Sequence, residues 1–121
     1  MKPTYEIPED LLSRCAGQAA ICRRVVQKYV QQMESDVVAL ADLINHERAS
    51  ELAKLAHRMK GASANVAAAK LYSLATKIEQ LANQDDLSPI KSAFLDLQRE
   101  WTEYERLTKQ FVTEDTQPCG S

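Results

Sequence analysis

Apolar residues recur at steps of three and four along most of the chain, and the pattern divides into four long stretches. From Gln18 to about Ile44, Cys22, Val26, Tyr29, Met33, Val37, Leu40 and Ile44 share one stripe, while Gln27, Gln31, Gln32, Glu34 and Asp42 fall off it. A repeat near 3.6 residues marks a helix with one buried face. A second stretch, from about Glu47 to Val66, lines up Leu52, Ala56, Met59, Ser63 and Val66. The third, from about Ala68 to Asn83, lines up Leu71, Leu74, Ala75, Ile78, Leu81 and Ala82. The fourth starts after Ser88, a cap, with Pro89 at its first position, and carries Ile90, Phe94, Leu97, Trp101, Tyr104 and Phe111. Ahead of these, Pro8 followed by Glu9 and Asp10 predicts a short helix through Cys15, because acidic groups suit a helix N-terminus. Gly17 is placed to end that helix, and Asn45 to break the first long one and cap the next.

Short connections make neighbouring helices antiparallel, and one apolar stripe per helix buries best in a bundle. The expected fold is therefore all-α: an antiparallel up-down four-helix bundle with a short additional N-terminal helix. Residues 1–7 read as an irregular lead-in, 8–112 as the bundle domain, and 113–121 as a disordered polar tail. Nothing alternates with period two over a strand's length, and no internal repeat is visible.

Composition narrows the function classes. The chain has 121 residues, 45% of them hydrophobic, which suits one domain with one core. Its 15 basic and 17 acidic residues give a formal net charge of −2, which argues against a general nucleic-acid binder. No apolar run approaches the roughly 20 residues of a membrane span, and the N-terminus lacks the apolar core of a signal peptide. The three cysteines form no CxxC pair, so neither a zinc knuckle nor a disulfide framework is indicated. Cys15 and Cys22 are expected as buried or half-buried free thiols, and Cys119 as a bystander in the tail. These features predict a cytoplasmic protein.

The chemistry centres on His57, since the other histidine, His46, is expected at a helix start as an ordinary exposed residue. On a helix His57 falls about 100° from Ala56, beside the core stripe and not within it. Ala53, Lys60, Gly61 and Ala64 share its face. Gly61, four residues on, clears space beside the ring, although a helix-interior glycine costs about 1 kcal/mol relative to alanine. Lys60, expected as an exposed side chain, can attract an anion attached to the imidazole, phosphoryl oxygens being the obvious one. Two readings fit these residues: a reactive ring in a clearing, or a surface histidine with a solvated lysine and a glycine that lets another helix pack closely. Joint metal ligation by His46 and His57 is not indicated, and the chain has no Glu-x-x-His or His-x-x-x-His pair.

The run Ala56-His57-Arg58-Met59-Lys60-Gly61-Ala62-Ser63-Ala64-Asn65-Val66, with Ala68, Leu71 and the later Ile78-Glu79, resembles the signature of the histidine-containing phosphotransfer (HPt) domain. The resemblance covers about residues 8–112. It implies a phosphoryl carrier, not an enzyme, without a nucleotide site or kinase activity. By it, His57 is phosphorylated, Lys60 steadies the phosphoryl oxygens, Gly61 keeps the site accessible, and Glu79 hydrogen-bonds the other imidazole nitrogen and orients the ring. It implies response-regulator receiver domains and a hybrid sensor histidine kinase as partners. It implies no cofactor or metal of the chain's own, with Mg²⁺ held by the partner receiver. Ala67 departs from the pattern, which usually has glycine there; alanine implies either a turn without strong need for positive φ, or mild strain. Ser63, on the core stripe, is expected to bond back to the Met59 carbonyl. Lys54 and Arg58 flank the site, either to meet an acidic receiver surface or to stay solvated. A bundle that binds partners without phosphotransfer is the alternative.

Overall fold

Each predicted stripe forms a helix in the computed structural model, which describes residues 5–113. The elements are α1 (Glu9–Arg14), α2 (Ala19–Asn45), α3 (Ala49–Asn65), α4 (Ala69–Asn83) and α5 (Ile90–Thr113). No strand occurs among the described residues. Residues 1–4, most of the predicted tail and Cys119 lie outside them. Helix α2 packs on α3 and α5, and α4 packs on the same two, so four long helices enclose one core. The α3–α4 contact is the most extensive, and α1 leans on α2.

The core follows the stripes closely. Cys22, Val26, Met33, Leu40, Leu52, Ala56, Met59, Ile78, Ile90 and Leu97 are all buried. Val37, expected on the α2 stripe, is only half-buried; the inward position belongs to Asp36, which is 2% exposed. Aromatic rings join α5 to α2 and to the lead-in. Tyr29 meets Trp101 edge-on at 6.0 Å between centroids, Trp101 stacks on Tyr104 at 5.9 Å, and Tyr5 lies 5.0 Å from Phe111. Such pairs add to the apolar burial they share. Cys15 and Cys22 are buried free thiols, and burial pushes the Cys22 thiol up to about 11, which keeps it protonated and unreactive at neutral pH.

The helix ends depart from the sequence expectation. Helices α1 to α4 all stop in the same turn, in which the second residue past the helix adopts a left-handed backbone. Those residues are Ala16 (φ 55°), Glu47 (φ 52°), Ala67 (φ 56°) and Asp85 (φ 55°). Each turn closes a pair of backbone bonds, as in Ala67 N–H to Ala64 C=O at 3.0 Å and Ala68 N–H to Ser63 C=O at 2.9 Å. This is the Schellman arrangement, which satisfies the carbonyls a helix end leaves free. Gly17, expected to end α1, sits one residue beyond the left-handed Ala16. Asn45 does not cap α3: it is the last residue of α2, and Arg48 holds the cap position. His46 likewise closes α2 and does not open α3. Pro8 and Pro89 each precede their helix by one residue, because their carbonyls accept the first helical bonds, from Leu12 at 2.9 Å and Ala93 at 3.1 Å.

Of the two readings of Ala67, strain is the one observed. A side chain in the left-handed region costs roughly 1–2 kcal/mol that glycine avoids. Ala67→Gly is expected to raise stability by about 1 kcal/mol, a gain of roughly 4 °C in Tm; thermal melting that shows no gain contradicts this account of the turn.

Candidate functional site

The turn around Ala67 folds α4 back along α3 and brings together two residues 22 apart in the chain. The ring of His57 leaves α3 on its outer face, 68% exposed, and its Nδ1 lies 2.7 Å from Oε2 of Glu79 on α4. The other carboxylate oxygen, Oε1, is 2.8 Å from the Lys60 ammonium, one turn along α3 from His57. A carboxylate only accepts, so the imidazole donates from Nδ1 and carries its lone pair on Nε2. The structure thus gathers His57, Lys60, Gly61 and Glu79 on one surface, and the Glu79 carboxylate joins His57 to Lys60.

Lys60 differs from expectation. Its side chain is only 24% exposed, and its charge is paired with Glu79. The pairing shows in both groups. The Lys60 ammonium, aided by the His57 N–H and opposed by partial burial, holds the Glu79 carboxyl below its ordinary value. Glu79 in turn raises Lys60 above its own.

Gly61 bears on the packing alternative. A methyl group built on its Cα would meet no atom within 4 Å outside its own helix. Among the described residues no other helix packs there, so close packing within them does not explain the glycine. It leaves an exposed, bare stretch of α3 next to the ring.

Two flanking residues behave differently from the sequence reading. The Ser63 hydroxyl does not turn back to Met59; it pairs with the Tyr29 hydroxyl at 2.7 Å, joining α3 to α2. A buried hydroxyl needs a partner, and here the Tyr29 hydroxyl of α2 supplies it. Arg58 is neither free nor merely solvated, since its guanidinium lies 2.6 Å from Oδ1 of buried Asp36. Lys54 remains exposed. Asp36 itself escaped the sequence reading. Its signal was register: it stands three residues after Met33 and four before Leu40, where only apolar residues were expected. His46 lies apart from the site at the end of α2, donating to the Asp42 carbonyl at 2.8 Å. Among the described residues no group of three or more His, Cys, Asp or Glu side chains is placed to hold a metal ion.

A family model for the Hpt domain matches residues 24–110. The chain belongs to the Hpt domain family. Hpt domains are phosphocarrier modules that work with receiver domains and kinases in phosphorelays, and are not themselves kinases. Comparison with curated proteins and with solved structures finds no significant match. No helix among the described residues is long and apolar enough to cross a membrane.

The ion pair of this Hpt domain makes stability depend on pH in a defined direction. Glu79 has a depressed carboxyl, so its contribution is complete above the ordinary value of 4.5 and fades as pH falls through the lower folded value. Urea unfolding of the parent and of Glu79→Gln should therefore differ at pH 7 and converge toward pH 3. A constant difference across that range would contradict the pairing.

Proposed function

We propose that His57 carries a phosphoryl group between receiver domains. The observation that supports this reading most directly is the 2.7 Å contact between His57 Nδ1 and Glu79, which leaves Nε2 as the nucleophile beside an open patch of helix. Nε2 attacks the phosphorus of a receiver's aspartyl phosphate. The N–P bond forms, the bond to the aspartyl oxygen breaks, and the aspartate leaves as a carboxylate. The ring keeps its Nδ1 proton and becomes cationic, and Glu79 stabilises that charge through a charge-assisted hydrogen bond. Lys60, held beside the ring, faces the phosphoryl oxygens with the donors that Glu79 does not engage. The reverse sequence hands the group to a second receiver.

In this reading the protein is a carrier and not an enzyme, has no cofactor or metal of its own, and works in the cytoplasm with response-regulator receivers and a hybrid sensor histidine kinase. The receiver supplies the Mg²⁺. The four long helices run up and down as antiparallel neighbours, as their short connections favour. The receiver seats over Gly61 and Ala64, beside a shallow groove between α2 and α3 lined by Val25, Lys28, Gln32 and Ala62.

Incubation with a phosphorylated receiver should place acid-labile, base-stable phosphate on the parent and none on His57→Gln. Equal labelling of the two would remove the relay reading and leave an adaptor bundle. Gly61→Leu should weaken receiver binding by at least about tenfold, since a branched side chain fills the clearing; titration calorimetry giving parental affinity would place the receiver elsewhere.

A further inference from the structure

Helix α3 packs inward through Leu52, Leu55 and Met59, but many of its other positions are small. Ala49, Ala53, Ala56, Gly61, Ala62 and Ala64 present little that interlocks with a neighbour. Polar contacts add to that packing. On the α4 side these are the contacts to Glu79. At its end, the Arg14 guanidinium of α1 donates to the Ala64 carbonyl at 2.9 Å. On the α2 side lies the ion pair of Arg58 with Asp36, an arrangement that favourable packing alone does not explain.

Asp36 is the informative member. Its side chain is 3% exposed, while that of Arg58 is 60% exposed. Both donors that reach the carboxylate, Arg58 and the Gln32 amide at 3.0 Å, converge on Oδ1. The second oxygen, Oδ2, is buried with no hydrogen-bond partner. A buried carboxylate with one oxygen unpartnered is costly, and an apolar residue of similar size commonly serves stability as well or better. Position offers a reason for its presence. Arg58 follows His57 directly and so leaves the helix about 100° around from it. Drawing Arg58 toward α2 fixes the direction in which His57 leaves α3 and holds its ring within reach of Glu79.

We propose that Asp36 is a positioning residue for phosphotransfer: through Arg58 it sets the rotation of α3, and so the engagement of His57 by Glu79. The inference rests on His57 being the carrier residue. Asp36 is too buried to touch a receiver, which makes it a clean point of attack.

The test compares the full chain with Asp36→Leu and Asp36→Asn. Thermal melting should show Asp36→Leu as stable as the parent or more so. Nitrogen-15 NMR of the His57 imidazole should show a loss of the Nδ1–H tautomer. Transfer from a phosphorylated receiver should slow by about tenfold, while receiver affinity stays within about twofold, since the buried side chain makes no contact with the partner. Asp36→Asn, which keeps the shape but not the charge, should show the same changes to a smaller degree, and serves as the test if the leucine variant does not fold. A folded variant with parental imidazole spectrum and parental transfer rate overturns the proposal. So does slow transfer that tracks weakened receiver binding with an unchanged spectrum. If the parent takes no phosphate at His57, the carrier reading fails, and the imidazole spectrum still decides whether Asp36 positions the ring.

Discussion

One carboxylate organises the functional surface. Glu79 accepts from the His57 ring through one oxygen and from the Lys60 ammonium through the other. An imidazole on a helix surface is otherwise free to rotate and to exchange its proton between two nitrogens. A fixed acceptor removes both freedoms and makes Nε2 the nitrogen that faces outward. The same acceptor holds a positive charge next to the ring before any anion arrives. The arrangement depends on α4 returning along α3 within a three-residue connection, and that return places His57 and Glu79 at nearly equal distances from the turn.

The local structure around the site is not what stability alone would select. Ala67 holds a left-handed backbone that glycine would adopt without penalty. Gly61 weakens a helix interior and is not needed by any packing among the described residues. Asp36 puts a half-satisfied carboxylate into a core stripe. All three lie on α3, at its end, or against it. Away from the site, the Tyr29, Trp101 and Tyr104 rings fill the space between α2 and α5. The turn at Ala67 recurs at Ala16, Glu47 and Asp85 and is not special to α3. Gly61 and Asp36, by contrast, both depart from the best local choice beside His57, a pattern expected where a surface is kept open and a side chain aimed.

The flanking polar contacts extend this logic. Ser63 pairs with Tyr29 instead of bonding within its own helix. Arg58 turns toward α2 instead of remaining in solvent. Each of these contacts links α3 to a neighbour at a point where its small side chains cannot. A helix with a bare outer face gains access for a partner and loses steric definition, and hydrogen bonds supply the definition that bulk would otherwise give.

The sequence by itself determined the helices, most of their inward faces, and the residues that form the surface cluster. Period 3.6 is a local property, and the spacing of His57, Lys60 and Gly61 on one helix needs no knowledge of the rest of the chain. Helix ends were less legible. Asn45, Pro8, Pro89 and Gly17 were each displaced from their expected places, because propensity at a terminus is weak beside the backbone bonds of a recurring turn. What a side chain does once another helix lies against it was legible only for Glu79 and His57, and there through the family resemblance. That Asp36 turns inward to meet Arg58, that Ser63 finds Tyr29, and that Lys60 is drawn from solvent onto Glu79 were decided by tertiary structure alone. Charges and hydroxyls choose among partners by distance, and the distances between helices exist only once the chain has folded.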